Sequence, residues 1–186
     1  MKLKFLFLFS LVFAFFGCVD LKKEDYLKRI SKMERALDNL EQKLNANEID
    51  SLVDWKQATN SVELRIKNYL TLDTIDLILG KKIDAYKLMR RNWNPLGKQF
   101  LQLKKEMKEE RETLKNLEKD IENGAGDRAA YEQYLHFEKN KNKQLEVMMQ
   151  EYVKLKVETL QTYHSLHNEL NLFSIELLRK YKLKHP

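Results

Sequence analysis

The chain has 186 residues, a third of them charged, with a formal net charge of +6. Five glycines and two prolines are too few for a turn-rich sheet fold or a flexible tail, so the composition points to long helices within a single domain. Charges of both signs interleave, as in Lys108-Glu109-Glu110-Arg111. That is the pattern of a solvated helix face, and no nucleic-acid partner is expected.

Taken in chain order, Lys2 and Lys4 come first, followed by a run of 13 residues from Phe5 to Gly17 that is apolar apart from Ser10, and then by Cys18, the single cysteine. About 20 apolar residues are needed to cross a hydrocarbon core as a helix, and Asp20, Lys22 and Lys23 close this run well short of that. Basic residues, an apolar run, a small residue and a cysteine, in that order, resemble the signal peptide of a bacterial lipoprotein precursor. Gly17 matches the small residue before the cut, while Phe15 and Phe16 stand where Leu and then Ala or Ser are commoner.

The resemblance implies a removable signal peptide at residues 1–17, lipid attachment at Cys18 and a short tether over 18–25. It implies a mature chain held to a bilayer through acyl chains, palmitate among them, on Cys18. One chain binds only marginally, so two or three are needed for stable anchoring. Asp20 would be the third mature residue rather than the second, which leans toward the outer membrane over the inner. A lone cysteine in an exported chain also fits an acylated thiol better than a disulfide.

From 26 to 183 a helical domain is expected. Tyr26, Ile30, Met33, Leu37, Leu40 and Leu44 alternate in steps of four and three, an unbroken heptad seam, which Asn45-Ala46-Asn47 ends. Asp50 or Ser51 caps a second helix reaching Trp93, with Val62, Ile66, Tyr69, Leu72, Ile75, Leu79, Ile83 and Tyr86 inward and Gly80 as its weak point. Asn94-Pro95 reads as a helix start, because proline disfavours the α region for the residue before it. A reversal there gives a bundle with long arms, whereas the other reading makes Pro95 a kink in one spine from 50 to 123. The third helix carries Leu96, Phe100, Leu103, Met107, Glu110, Leu114, Leu117 and Ile121 on its seam. Asn123-Gly124-Ala125-Gly126 is a tight turn, Asp127 a cap, and a last helix runs toward Lys182 through Tyr131, Leu135, Leu145, Met148, Tyr152, Leu155, Thr159, Leu166, Phe173 and Leu177. The expected fold is all-α, an elongated antiparallel helical bundle or coiled coil of about four long helices.

Chemistry is sparse along this frame. His164 and His167 share a helical face, yet no Glu-x-x-His motif accompanies them. His164, beside Tyr163 and Leu166, reads as a histidine at the edge of the core. Glu132 and His136 form a surface pair, and Gly124-Ala125-Gly126 lacks the Lys-Ser/Thr of a phosphate loop. No catalytic residue, metal or cofactor is expected. Most aromatics fall on seams, but Trp93 at the Pro95 turn and Tyr134 near the glycine turn are candidate partner contacts, since exposed aromatics make good anchors. These features describe a non-catalytic, membrane-anchored cell-envelope lipoprotein whose helical body serves as a structural or interaction module, with a protein partner or as a homo-oligomer. A periplasmic ligand- or metal-binding bundle is the alternative.

Overall fold

The structure, a computed structural model, describes residues 21–71 and 76–185. Cys18 and the residues before it, together with Leu72 and Ile75 of the expected second seam, lie outside the described residues. Four long helices pack against one another as a helical bundle: α1 Leu21–Ala46, α2 Leu52–Tyr69, α3 Leu77–Asn123 and α4 Tyr131–Lys184, the last preceded by a 3-10 turn at Arg128–Ala130. No strand occurs among the described residues. Helix α1 begins at Leu21, so most of the stretch expected to form a tether is helical.

The contacts divide the chain into two units. The first holds the residues up to Asn39 together with Lys108–Lys143, and the second holds Leu40–Met107 and the residues from Gln144 onward.

In the first unit α1 runs parallel to α4, as Arg29–Glu132 and Met33–Asn142 contacts require. Helix α3 runs antiparallel to α1, with Lys23 against Glu122 at one end and Asp38 against Arg111 at the other. The expected seam residues Ile30, Met33, Leu37, Leu114, Leu117, Ile121, Tyr131 and Leu135 are all buried here. Helix α3 ends in a Schellman motif. Gly124, at φ +61°, donates its N–H to the Ile121 carbonyl at 3.2 Å, and Ala125 donates to the Asp120 carbonyl at 2.8 Å. The Tyr131 hydroxyl donates back to the carbonyls of Asp120 and Ala125, tying the turn to α4. Asp127 is a cap, but of the 3-10 turn that leads into α4 rather than of α4 itself, accepting from Ala129 N–H at 3.0 Å.

In the second unit α2 and α4 run parallel, and α3 is antiparallel to both. Glu63–Arg90 and Thr59–Trp93 pair α2 with α3, Lys82–Glu169 and Asn92–Thr159 pair α3 with α4, and Trp55–Tyr163 and Arg65–Asn171 pair α2 with α4. Helix α1 ends on Asn47, whose amide donates to the Lys43 carbonyl at 2.8 Å and whose own carbonyl accepts from Tyr152 at 2.7 Å. Ser51 takes the N-cap position of α2, but its hydroxyl makes no capping bond.

Two expectations are corrected. The helix expected from about 50 to 93 ends instead at Tyr69, where Leu70 donates its N–H to the Ile66 carbonyl at 3.0 Å. Residues 71–76, Thr-Leu-Asp-Thr-Ile-Asp, are rich in β-branched and Asp side chains, which are weak helix formers. Asp76 then opens α3, its carboxylate accepting from Ile78 N–H at 3.4 Å, and Gly80 falls in the first turn of α3. The second correction is Pro95. It lies inside α3, a single helix of 47 residues, and neither starts a helix nor turns the chain.

The neighbours of Pro95 explain why the helix runs through it. Proline in a helix interior costs roughly 3 kcal/mol. Trp93 and Leu96 flank it and are fully buried, and each such burial contributes on the order of 2 kcal/mol or more. Turning the chain at Pro95 would remove both from the core, so packing outweighs the local preference. Pro95 itself faces solvent.

Pro95→Ala is therefore expected to stabilise the protein by about 1–3 kcal/mol, read as a higher midpoint in urea. A lower midpoint would mean that the ring makes a contact the fold needs. Leu103→Lys, at a fully buried seam position, is expected to lower stability by about 3 kcal/mol or more. An unchanged midpoint would place that seam in solvent.

Candidate functional site

The apolar seam of α3 is interrupted once in the first unit, by Glu110 between Met107 and Leu114, and its side chain is 0 % exposed. Helix α4 meets it with Glu138, 7 % exposed, Lys141 and the buried Asn142. These three fall on one face because they are three and four residues apart on a helix. Lys141 Nζ lies 3.0 Å from Glu110 Oε2, and Asn142 donates its amide to the Met33 carbonyl of α1 at 3.1 Å.

Glu138 stands one turn before Lys141 on α4, and Lys141 reaches Glu110, so one ammonium serves two buried carboxyls. Burial first, and the Glu110 carboxyl second, push Glu138 up to about 7. Burial alone would lower Lys141, but the hydrogen bond and charge of Glu110 outweigh it and the ammonium is held above its usual value. Glu110 Oε1, Glu138 Oε2 and Asn142 Oδ1 have no donor among the described residues.

The second unit contains a different polar arrangement, set among aromatic rings. The Tyr86 hydroxyl lies 2.6 Å from His167 Nδ1. Tyr163 stacks on the His167 ring at 4.5 Å and meets Trp55 and Trp93 at 5.5 and 5.8 Å. Trp93 donates its indole N–H to Thr59 Oγ1 at 3.1 Å. Burial raises the Tyr86 hydroxyl, and burial followed by the Arg65 charge lowers His167. The neutral imidazole thus shares one hydrogen bond with Tyr86.

Several sequence expectations are settled by this geometry. Of the two histidines, His167 turns inward and His164 is exposed, so the edge position expected for His164 belongs to its neighbour. Glu132 pairs with Arg29 through two hydrogen bonds, at 2.8 and 2.9 Å, while His136 meets Asn140. Trp93, a candidate partner contact, is 1 % exposed. With no turn at Pro95 it falls on the inner face of α3, and that candidate is withdrawn. Tyr134 is 45 % exposed, and Phe137, which the sequence reading passed over, is 64 % exposed one turn further along α4.

Among the described residues no three of His, Cys, Asp and Glu are grouped to hold one metal ion, and no helix is long and apolar enough to cross a membrane. A groove beside the glycine turn is lined by Lys22, Lys23 and Arg128 but equally by Asp25, Glu122 and Glu132, so its charge selects no ligand. No protein-family model, curated protein or solved structure matches the chain.

His167 makes the second unit acid-sensitive. A histidine held below its ordinary value contributes stability that is full above about pH 6.5 and is lost as pH falls through the lowered value. Thermal melts followed by Trp55 and Trp93 fluorescence, both in this unit, are expected to shift downward on acidification. His167→Gln is expected to reduce that shift. A shift identical in the variant would assign the effect to other groups.

Proposed function

We propose that the protein is a non-catalytic, lipid-anchored cell-envelope protein whose helical body engages another protein. The anchor rests on the order of residues ending in Gly17-Cys18. The observation that carries the interaction is the pair Tyr134 and Phe137, two exposed aromatic side chains one turn apart on α4. Large apolar groups left in water lose the stabilisation that burial would give them, and aromatic anchors of this kind dominate binding where a partner supplies an apolar pocket. A second copy of the chain meets the same requirement as a different protein.

Both halves of the reading are testable. Mass spectrometry of the native N-terminus is expected to find Cys18 as the first residue, carrying acyl chains, and Cys18→Ala is expected to move the protein out of the membrane fraction. An unmodified Cys18, or a variant that stays in the membrane fraction, would remove the anchor. Replacing Tyr134 and Phe137 together by Ala is expected to change stability by no more than about 0.5 kcal/mol each. The same change should abolish the stoichiometric crosslink formed by the native protein in intact cells, or its dimer in light scattering. Full retention of both species in the double variant would remove the proposed contact.

A further inference from the structure

We propose that Glu138, buried beside the Glu110–Lys141 ion pair, holds a proton inside the first unit, and that its departure at rising pH loosens the packing of α1, α3 and α4 there, making this unit a built-in proton-responsive element. The geometry carries it. Glu110 is wholly buried and Glu138 nearly so, and one ammonium, Lys141, one turn from Glu138 on α4, reaches Glu110 at 3.0 Å. With both acids ionised, two negative charges would face one positive charge in a buried space, and neighbouring like charges cannot both be held there cheaply. With one proton the set of Glu110, Glu138 and Lys141 is neutral. The proton stays on Glu138, and Lys141 neutralises the Glu110 carboxylate.

A metal ion suits the place poorly. The ammonium already occupies one carboxylate oxygen, and a divalent ion would sit beside it.

Among the groups that act on Glu138, Lys141 is the one positive charge. On α4, the groups acting on Glu138 are Lys141 and, across from it, Glu110 of α3; Glu109 of α3 acts on Lys141. Helix α1 presents the Met33 carbonyl to Asn142. Its half-buried carboxyl, Glu34, is raised by burial and by Glu118, with Arg111 opposing. The sign follows from the raised value near 7. An acid held above its ordinary value contributes stability that is fully present below that ordinary value and is lost as pH rises through the raised one. The first unit should therefore loosen on alkalinisation, opposite in sense to the response of the second.

Hydrogen exchange of the full-length chain, read by mass spectrometry and corrected for the intrinsic rate, tests this region by region. Between about pH 6 and about pH 8, protection of buried amides in residues 21–39 and 108–143 is expected to fall about tenfold, the loss that a value near 7 implies. Glu138→Gln leaves a neutral side chain in that place, and its protection is expected to stay within about twofold over that range. An unchanged fall in Glu138→Gln, or its disappearance in Glu34→Gln, would overturn the proposal, as would protection that depends on added calcium instead of on pH. Should Glu138→Gln fail to fold, carboxyl NMR of the native protein decides. The Glu138 carboxyl is expected to titrate near pH 7, and its titration below about pH 5 would refute the proposal.

Discussion

The continuity of α3 is the constraint on which the rest depends. Its 47 residues supply one side of the core in each unit, through Leu114, Leu117 and Ile121 in the first and Ile83, Tyr86, Met89, Trp93 and Leu96 in the second. Both of its local irregularities, Pro95 and Glu110, are tolerated because apolar neighbours on the same stripe hold the helix in place. Trp93 and Leu96 secure the turn around the proline. Met107 and Leu114 secure the turn around the buried carboxyl. A helix in a protein draws most of its stability from packing an apolar stripe rather than from propensity, and α3 demonstrates the ranking directly.

That same continuity determines where polar groups are trapped. Tyr86 faces His167, and Glu110 meets Lys141 one turn from Glu138, each because α3 and α4 run antiparallel within the unit concerned. A buried polar group is costly unless partnered, and the two units meet the requirement with opposite protonation. In the second, a neutral imidazole shares a hydrogen bond with a phenol and is disturbed by acid. In the first, a buried acid retains a proton and is disturbed by base. Neither arrangement places a nucleophile, a metal-ligand set or an oxyanion donor around a cavity, and the reading as an interaction module rests instead on exposed Tyr134 and Phe137 and on Cys18.

Much of the fold could be read from the sequence wherever periodicity and breakers agreed. Helix α1 shows this best, since its heptad residues from Ile30 to Leu44 are buried and Asn45-Ala46-Asn47 stops it. The glycine turn and the Asp127 cap were equally legible, because positive φ and a side-chain cap are local requirements. Where periodicity and breakers disagreed, the sequence misled. The pattern Tyr69, Leu72, Ile75, Leu79 continues a seam from α2, which ends at Tyr69, to α3, which starts at Leu77, so periodicity concealed a change of helix that weak helix formers signal. At Pro95 the local signal was strong and packing overrode it, which also moved Trp93 from a supposed exposed tip into the core. Glu110 was recognised as a seam residue, but Glu138, buried beside the Glu110–Lys141 pair, was not, because that placement depends on how α3 and α4 meet. Glu-x-x-Lys-Asn at 138–142 carries no mark of that alignment.

The path of α3 through Pro95 is open to direct measurement with spin labels at Leu88 and Leu101, two exposed positions of the second unit. A continuous helix rises 1.5 Å per residue, which places the two backbones about 20 Å apart. Folding back at Pro95 would bring them to about 10 Å, the spacing of adjacent packed helices. A distance distribution centred near 20 Å is the predicted result, and one centred near 10 Å would contradict the continuous helix on which both cores are built.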